Sequence, residues 1–163
     1  MKTVHITDVT APDGSVLSEL LRNKKSAYQG ASPAFPAPLP PMPYSAGEHA
    51  ERPWGSWLVL DVMPHSVVKK LTIHPGKRIS LQRHRFRSEL WTVVDGVADV
   101  LCHQHASKLH PGEQILIPQK SLHRLSNNGN TPVTLIEIQF GYILSEEDIE
   151  RFHDDYGRQS AEG

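Results

Sequence analysis

Two turns in this chain are written almost alike, His74-Pro75-Gly76-Lys77 and His110-Pro111-Gly112-Glu113, and each opens onto a short apolar run, Ile79–Gln82 and Gln114–Ile117. The same rhythm holds around them. Trp57–Leu60 and Val67–Ile73 are rich in β-branched and aromatic residues, as strands are. Leu90–Val94 and Val97–Leu101 flank Asp95-Gly96, a pair that predicts a tight hairpin. Asn127-Asn128-Gly129-Asn130 marks a further turn before Val133–Phe140. No helical periodicity separates these runs, which excludes a doubly wound α/β sheet. The expectation is all-β: an antiparallel sandwich or small barrel of eight or nine strands. Ser145-Glu146-Glu147-Asp148 reads as a capping box and predicts a short C-terminal helix from Ser145 to Phe152.

Upstream of Arg52 the pattern is different. Six of the 13 prolines lie between Pro33 and Pro43, and such a run packs into neither a helix nor a central strand. It reads as an extended Pro-rich N-terminal arm, preceded by a short amphipathic helix around Val16, Leu17, Leu20 and Leu21. The division expected is an arm over 1–51, one β-domain over 52–158 and a tail over 159–163. The roughly 50 residues before Arg52 cannot build a nucleotide-binding α/β domain. With 38% hydrophobic residues the chain has material for one core. Its charge balances, 17 basic against 18 acidic, which argues against nucleic acid or a membrane surface as partner. A single cysteine, Cys102, excludes an internal disulfide framework and fits a cytoplasmic setting. No apolar run approaches the roughly 20 residues of a membrane span.

Ten histidines stand out, and alternation along strands sorts them. Gln82 and His84 share a face, which leaves Arg83, Arg85 and Arg87 on the other; Glu89 shares a parity with Trp91, and His123 with Leu125. A Gln, two His and a Glu turned into a barrel are costly unless satisfied. Either they are hydrogen-bonded polar residues near strand ends, or a divalent metal satisfies them together, Zn²⁺ foremost, with Fe²⁺, Mn²⁺, Ni²⁺ or Co²⁺ also suited to this donor set.

The spacing Gly76-x5-Gln82-x-His84-x4-Glu89-x6-Gly96, followed by Gly112-x5-Pro118-x4-His123-x3-Asn127, resembles the paired motifs of the cupin superfamily, a double-stranded β-helix or jelly-roll-like barrel. Gln82 stands where the first His of that motif is usual, and Lys120 where a Gly is usual. The ordered segments Arg52-Pro53-Trp54-Gly55, Arg87-x-Glu89-x-Trp91, His123-Arg124-Leu125-x-Asn127, Ile136-Glu137-x-Gln139 and Asp155-Tyr156-Gly157-Arg158 resemble more narrowly the type II mannose-6-phosphate isomerase domain, often fused behind a mannose-1-phosphate guanylyltransferase domain. In that family Gln at the first ligand position is expected. The resemblance implies one divalent metal held by Gln82, His84, Glu89 and His123. Phe86 and Leu90 stand where it leads one to expect histidines near the metal.

The implied activity is isomerisation of mannose 6-phosphate and fructose 6-phosphate, moving a proton between C1 and C2. Glu137 and Gln139 share a parity opposite the apolar Ile136, Ile138 and Phe140. Glu137 is therefore the candidate base and Gln139 a substrate-binding candidate. Lys120, in a turn beside His123, and Arg52, Arg151 and Arg158, in the segments matching at either end, are the candidates for the phosphate. The other readings are a non-catalytic sugar-phosphate-binding or regulatory cupin, and another small-molecule cupin enzyme. By resemblance the chain is expected to be a homodimer.

Overall fold

A computed structural model describes residues 41–158. The predicted helix at Val16–Leu21 and most of the proline run lie outside the described residues. Eleven strands run in chain order: β1 His49–Arg52, β2 Gly55–Met63, β3 Ser66–Ile73, β4 Leu81–His84, β5 Arg87–Asp95, β6 Ala98–Cys102, β7 His105–Leu109, β8 Gln114–Ile117, β9 His123–Ser126, β10 Val133–Gly141 and β11 Ile149–His153. They form two antiparallel sheets, one of six strands in the order β1-β2-β3-β10-β5-β8 and one of five in the order β11-β4-β9-β6-β7. Tyr44 and β1, upstream of Arg52, belong to the same packed body.

Inward positions divide the interior into two halves. At one end the facing residues are apolar: Ile73, Val93, Val100, Leu125 and Leu135 are all at most 2% exposed. Burying each such side chain stabilises the fold by about 1.5–3 kcal/mol. At the other end the same faces of β3, β4, β5, β9 and β10 carry Lys69, Gln82, His84, Arg87, Glu89, His123, Glu137 and Gln139, all buried. Antiparallel pairing collects these polar ends. The register sets Gln139 opposite Glu89, Glu137 opposite Trp91 and Lys69, and Gln82 opposite His123.

Two local expectations are corrected. Asp95-Gly96 is no hairpin: β5 pairs with β10 and β8, whereas β6 pairs with β7 and β9. The pair turns a corner from one sheet to the other, and only Gly96 takes a positive φ, 78°. The capping box is real, since Ser145 Oγ accepts from the Glu147 N–H at 3.1 Å, but it opens a single 3-10 turn, Glu146–Asp148. The chain then continues as β11, because the edge of β4 offers its backbone groups a ladder that a free helix would lack.

Candidate metal centre

His84, Glu89 and His123 each bring a ligand atom to within 4.8 Å of one another, from β4, β5 and β9. His84 Nε2 is 3.1 Å from Glu89 Oε1, and His123 Nε2 is 3.6 Å from Glu89 Oε2. Two ligand atoms around one ion at bond lengths near 2.1 Å stand about 3–3.5 Å apart, so the spacing suits a shared cation. The hydrogen bonds around the rings agree. His123 Nδ1 lies 2.8 Å from the Ser121 carbonyl and His84 Nδ1 lies 3.3 Å from the Asp148 carbonyl. A ring that donates from Nδ1 presents the Nε2 lone pair to the centre. Among the described residues, His123 Nε2 and Glu89 Oε2 are buried without a hydrogen-bond partner. Orphaned acceptors of this kind are what a divalent ion satisfies. Gln82, the β4 partner of His123, accepts from Ser80 Oγ at 2.7 Å through Oε1, which leaves that oxygen a second lone pair for a metal.

The charges are arranged to keep these donors in ligand form. Burial pushes His123 down to about 4, against the pull of Glu89, so the ring is neutral. Burial opposes ionisation of Glu89, but the adjoining His84 and the Arg87 guanidinium outweigh it and hold the carboxyl well below its usual range. Arg87 is the fixed cation beside it, with Nε 3.0 Å from Glu89 Oε1 and Nη1 2.6 Å from the Ser145 carbonyl. The sequence reading put Arg87 on the outer face with Arg83 and Arg85. The structure places it inside because β4 ends at His84 and β5 starts a new alternation at Arg87. The spacing Arg87-x-Glu89-x-Trp91, all on one parity, carried that signal.

A cavity of about 300 Å³ opens beside the cluster. Gln82 and Glu89 line it, as do Glu137 and Gln139. Gln139 Nε2 bridges the two acids, 2.8 Å from Glu137 Oε2 and 3.4 Å from Glu89 Oε1. Trp91 Nε1 donates to Glu137 Oε1 at 3.1 Å, so the fully buried Trp91 positions an acid as well as packing the core. Burial, then the charge of Glu89, raises the Glu137 carboxyl to about 8, against Lys69, Arg87 and the Trp91 hydrogen bond.

Arg52, Arg151 and Arg158 also line the cavity, but Arg158 is committed to Asp154, with Nη2 2.7 Å from Oδ1. Lys120 is corrected: it is exposed and does not line the cavity. Its backbone does the work at that position, with φ 65° and an N–H that donates to the His84 carbonyl at 2.6 Å. That left-handed φ is why Gly suits the equivalent place in the motif. Phe86 and Leu90 are corrected too. Phe86 is 44% exposed, and Leu90 stands on the outer face of its sheet, paired with Leu116 and Ile138, so neither displaces a histidine from the metal cluster. Lys69, Tyr44 and Glu146 join the cavity region without having been singled out; the inward parity of Val67, Lys69 and Leu71 was the available signal for the lysine.

Two β-sheets around a buried His/Glu cluster define a cupin-type double-stranded β-helix protein with a candidate metal site. Solved structures of that class share the fold: KdgF from Halomonas sp. superposes with a TM-score of 0.54 at 14% identity over 60% of this chain and 88% of its own. A double-stranded β-helix protein from Klebsiella pneumoniae gives 0.50 at 22% identity over 62% and 79%. The chain belongs to the mannose-6-phosphate isomerase C-terminal family, which matches residues 44–154. It is 46% identical to the alginate biosynthesis protein AlgA of Pseudomonas putida over 109 residues, 67% of this chain and 22% of the relative. It is 43% identical to the xanthan biosynthesis protein XanB of Xanthomonas campestris over 107 residues, 66% and 23%. Against the mannose-1-phosphate guanylyltransferase ManC of Salmonella typhimurium it is 41% identical over 107 residues, 66% and 22%. The chain thus spans less than a quarter of the length of these curated relatives.

Proposed function

We propose that this domain interconverts mannose 6-phosphate and fructose 6-phosphate, supplying mannose units for polysaccharide or nucleotide-sugar synthesis. The observation that carries the reading is a buried carboxyl, Glu137, one amide away from a ready-made ligand cluster beside a cavity of about 300 Å³, in a chain of this family. His84, Glu89 and His123, with Gln82 as fourth ligand, would hold a divalent ion, which would supply electrophilic pull on the sugar carbonyl oxygen.

The residues of the chain do the rest. Glu137, raised to about 8, is a far stronger base as carboxylate than an exposed glutamate, and near working pH it both accepts and returns a proton. It takes the proton from C2 of the open-chain aldose and delivers it to C1 of the enediol, while the O2 hydroxyl proton passes to O1 to leave the ketone. Trp91 and Gln139 hold its two oxygens in place during the transfer. Trp54, Trp57, Leu71 and Ile149 wall the cavity and limit water, which strengthens each charge inside. Arg52 and Arg151 line the same space and suit the phosphate end.

Metal analysis of the purified protein together with a coupled assay for fructose 6-phosphate tests the reading. Bound metal with turnover, lost in Glu137→Gln with the metal retained, supports it. Metal and sugar-phosphate affinity without turnover selects the non-catalytic alternative, and oxygen uptake with bound iron selects another cupin chemistry.

A further inference from the structure

The cavity contains two deeply buried cations in opposite conditions. Arg87, 2% exposed, is closed off by Glu89, itself 1% exposed, and by the Ser145 carbonyl. Lys69, 3% exposed, has one ion pair among the described residues: Nζ is 3.4 Å from Glu146 Oε1, on a side chain that is 49% exposed. The same Glu146 oxygen is taken more closely by Tyr44 Oη, which donates at 2.6 Å. An ammonium has three protons to donate, and a buried one costs several kcal/mol unless it is well compensated. The remaining compensation comes from the field of Glu137, its register partner, and from ring faces. Lys69 Nζ stands 3.8 Å from the Tyr44 centroid and 4.9 Å from that of Trp57.

The surroundings say what kind of ligand completes it. Arg52 stands over the same Trp57 ring, 5.9 Å from its centroid, and both cations line the cavity. Arg158 is neutralised by Asp154, so it competes poorly for an anion. Lys69 is set apart from the candidate metal ligands. It is two strands from Glu89, across β10, and one inward position along, and it pairs directly with Glu137 in the register. That is about 12 Å between the Lys69 and Glu89 backbones from strand spacings near 4.8 Å and a two-residue rise near 6.7 Å, so an anion on Lys69 stands clear of the ligand cluster.

We propose that Lys69 is the inner anion-binding residue of this cavity, taking the phosphate of a phosphorylated sugar together with Arg52, and that it sets the preference for phosphorylated over neutral hexoses. This rests on the isomerase reading for its substrate class, and it deepens that reading by naming the specificity residue. The anion displaces Glu146 from Lys69 when it binds.

The test uses the metal-loaded full chain, with inorganic phosphate, mannose 6-phosphate and mannose as probes in calorimetric titrations, beside steady-state kinetics. Lys69→Met should weaken phosphate and mannose 6-phosphate by about tenfold or more, leave mannose unchanged, and raise KM far more than it lowers kcat. Lys69→Arg should rescue most of the affinity. Glu146→Gln removes the competing carboxylate and should tighten phosphate, the opposite of what loss of a merely structural ion pair would do; this variant decides the matter if Lys69→Met does not fold. Wild-type phosphate affinity in Lys69→Met, or weaker phosphate binding in Glu146→Gln, overturns the proposal. Lys69-dependent phosphate binding without turnover upholds it and removes the isomerase reading. Turnover with an unchanged KM in Lys69→Met does the reverse.

Discussion

Trp91 Nε1 donates to Glu137 Oε1 at 3.1 Å across the β5–β10 ladder, while the Trp91 ring meets the His123 ring edge-on with centroids 5.5 Å apart. One indole therefore touches both the candidate base and a candidate metal ligand. Its hydrogen bond favours the Glu137 carboxylate, against burial and the charge of Glu89. Since the aldose needs that carboxylate, kcat/KM should rise with pH as Glu137 gives up its proton, at a pH below the metal-free value of about 8 because a cation on Glu89 offsets the charge that helps raise it. Glu137→Gln should lower kcat by roughly 10²–10⁴. Trp91→Phe should move the rising limb to higher pH, because it removes a donor that lowers the value. A pH–rate profile that stays flat across this range would count against Glu137.

Removing His123 tests the metal cluster more cleanly than removing Glu89. Glu89→Gln would leave Arg87 buried beside a neutral amide, and breaking such a pair costs about 3–5 kcal/mol. His123→Ala orphans no charge, since its ring is neutral. It should keep the fold by circular dichroism. Its metal affinity should fall by more than the roughly 10–100-fold that loss of an outer-sphere partner costs, as measured by equilibrium dialysis and elemental analysis.

Much of this was legible in the chain because strand alternation is a rule with period two. Gln82, His84, Glu89, His123, Glu137 and Gln139 all face inward as their parity demands. What failed were the points where alternation restarts or where a turn answers to tertiary contacts. Arg87 was misplaced because two residues, Arg85 and Phe86, separate β4 from β5. Asp95-Gly96 has hairpin chemistry, yet which sheet receives the next strand is decided by β9 and β10, far off in sequence. The segment after Ser145 carries a helix signal, but β4 captured it as a ladder partner. Lys69 is followed by a second lysine, Lys70, and nothing in the sequence tells the buried one from the exposed one except strand parity. Only the packing of Tyr44 and Trp57 shows it as a buried cation.

The outward placement of Phe86 and Leu90 has a direct consequence. Phe86→His and Leu90→His, alone or together, should leave metal stoichiometry and kcat unchanged, because neither side chain reaches the cluster. Stability should move by about 0.5 kcal/mol or so for the exposed Phe86 site, and somewhat more for Leu90, which loses its cross-strand contacts with Leu116 and Ile138. A gain of activity on introducing either histidine would show that these positions face the substrate after all.

Gly141 lies opposite Arg87 in the β5–β10 register, and a Cβ there would collide with the Phe86 carbonyl oxygen and stand 3.1 Å from the Arg87 Cβ. The obstacle is backbone, so it cannot rotate away. Gly141→Ala should destabilise the domain by about 1–3 kcal/mol and, by pushing Arg87 off Glu89, weaken metal binding as well. Chemical denaturation and metal titration of the same variant check the two effects together.

Asp154 and Arg158 give the fold a pH dependence separate from the metal site. The Asp154 side chain is fully buried and accepts from the Arg158 backbone N–H at 2.6 Å and from Nη2 at 2.7 Å. Burial opposes its ionisation, but these Arg158 hydrogen bonds outweigh burial and hold it below the usual Asp value. A lowered folded-state value means that the unfolded chain binds the proton more readily. The stabilisation is therefore complete above the unfolded value of about 3.9 and is lost as pH falls through the lower folded one. Asp154→Asn should cost about 1–3 kcal/mol at pH 7. The gap between variant and wild type should close as pH drops below about 4, when urea unfolding is followed at several pH values. A gap that persists undiminished in acid would mean that the contact stabilises by shape and not by charge.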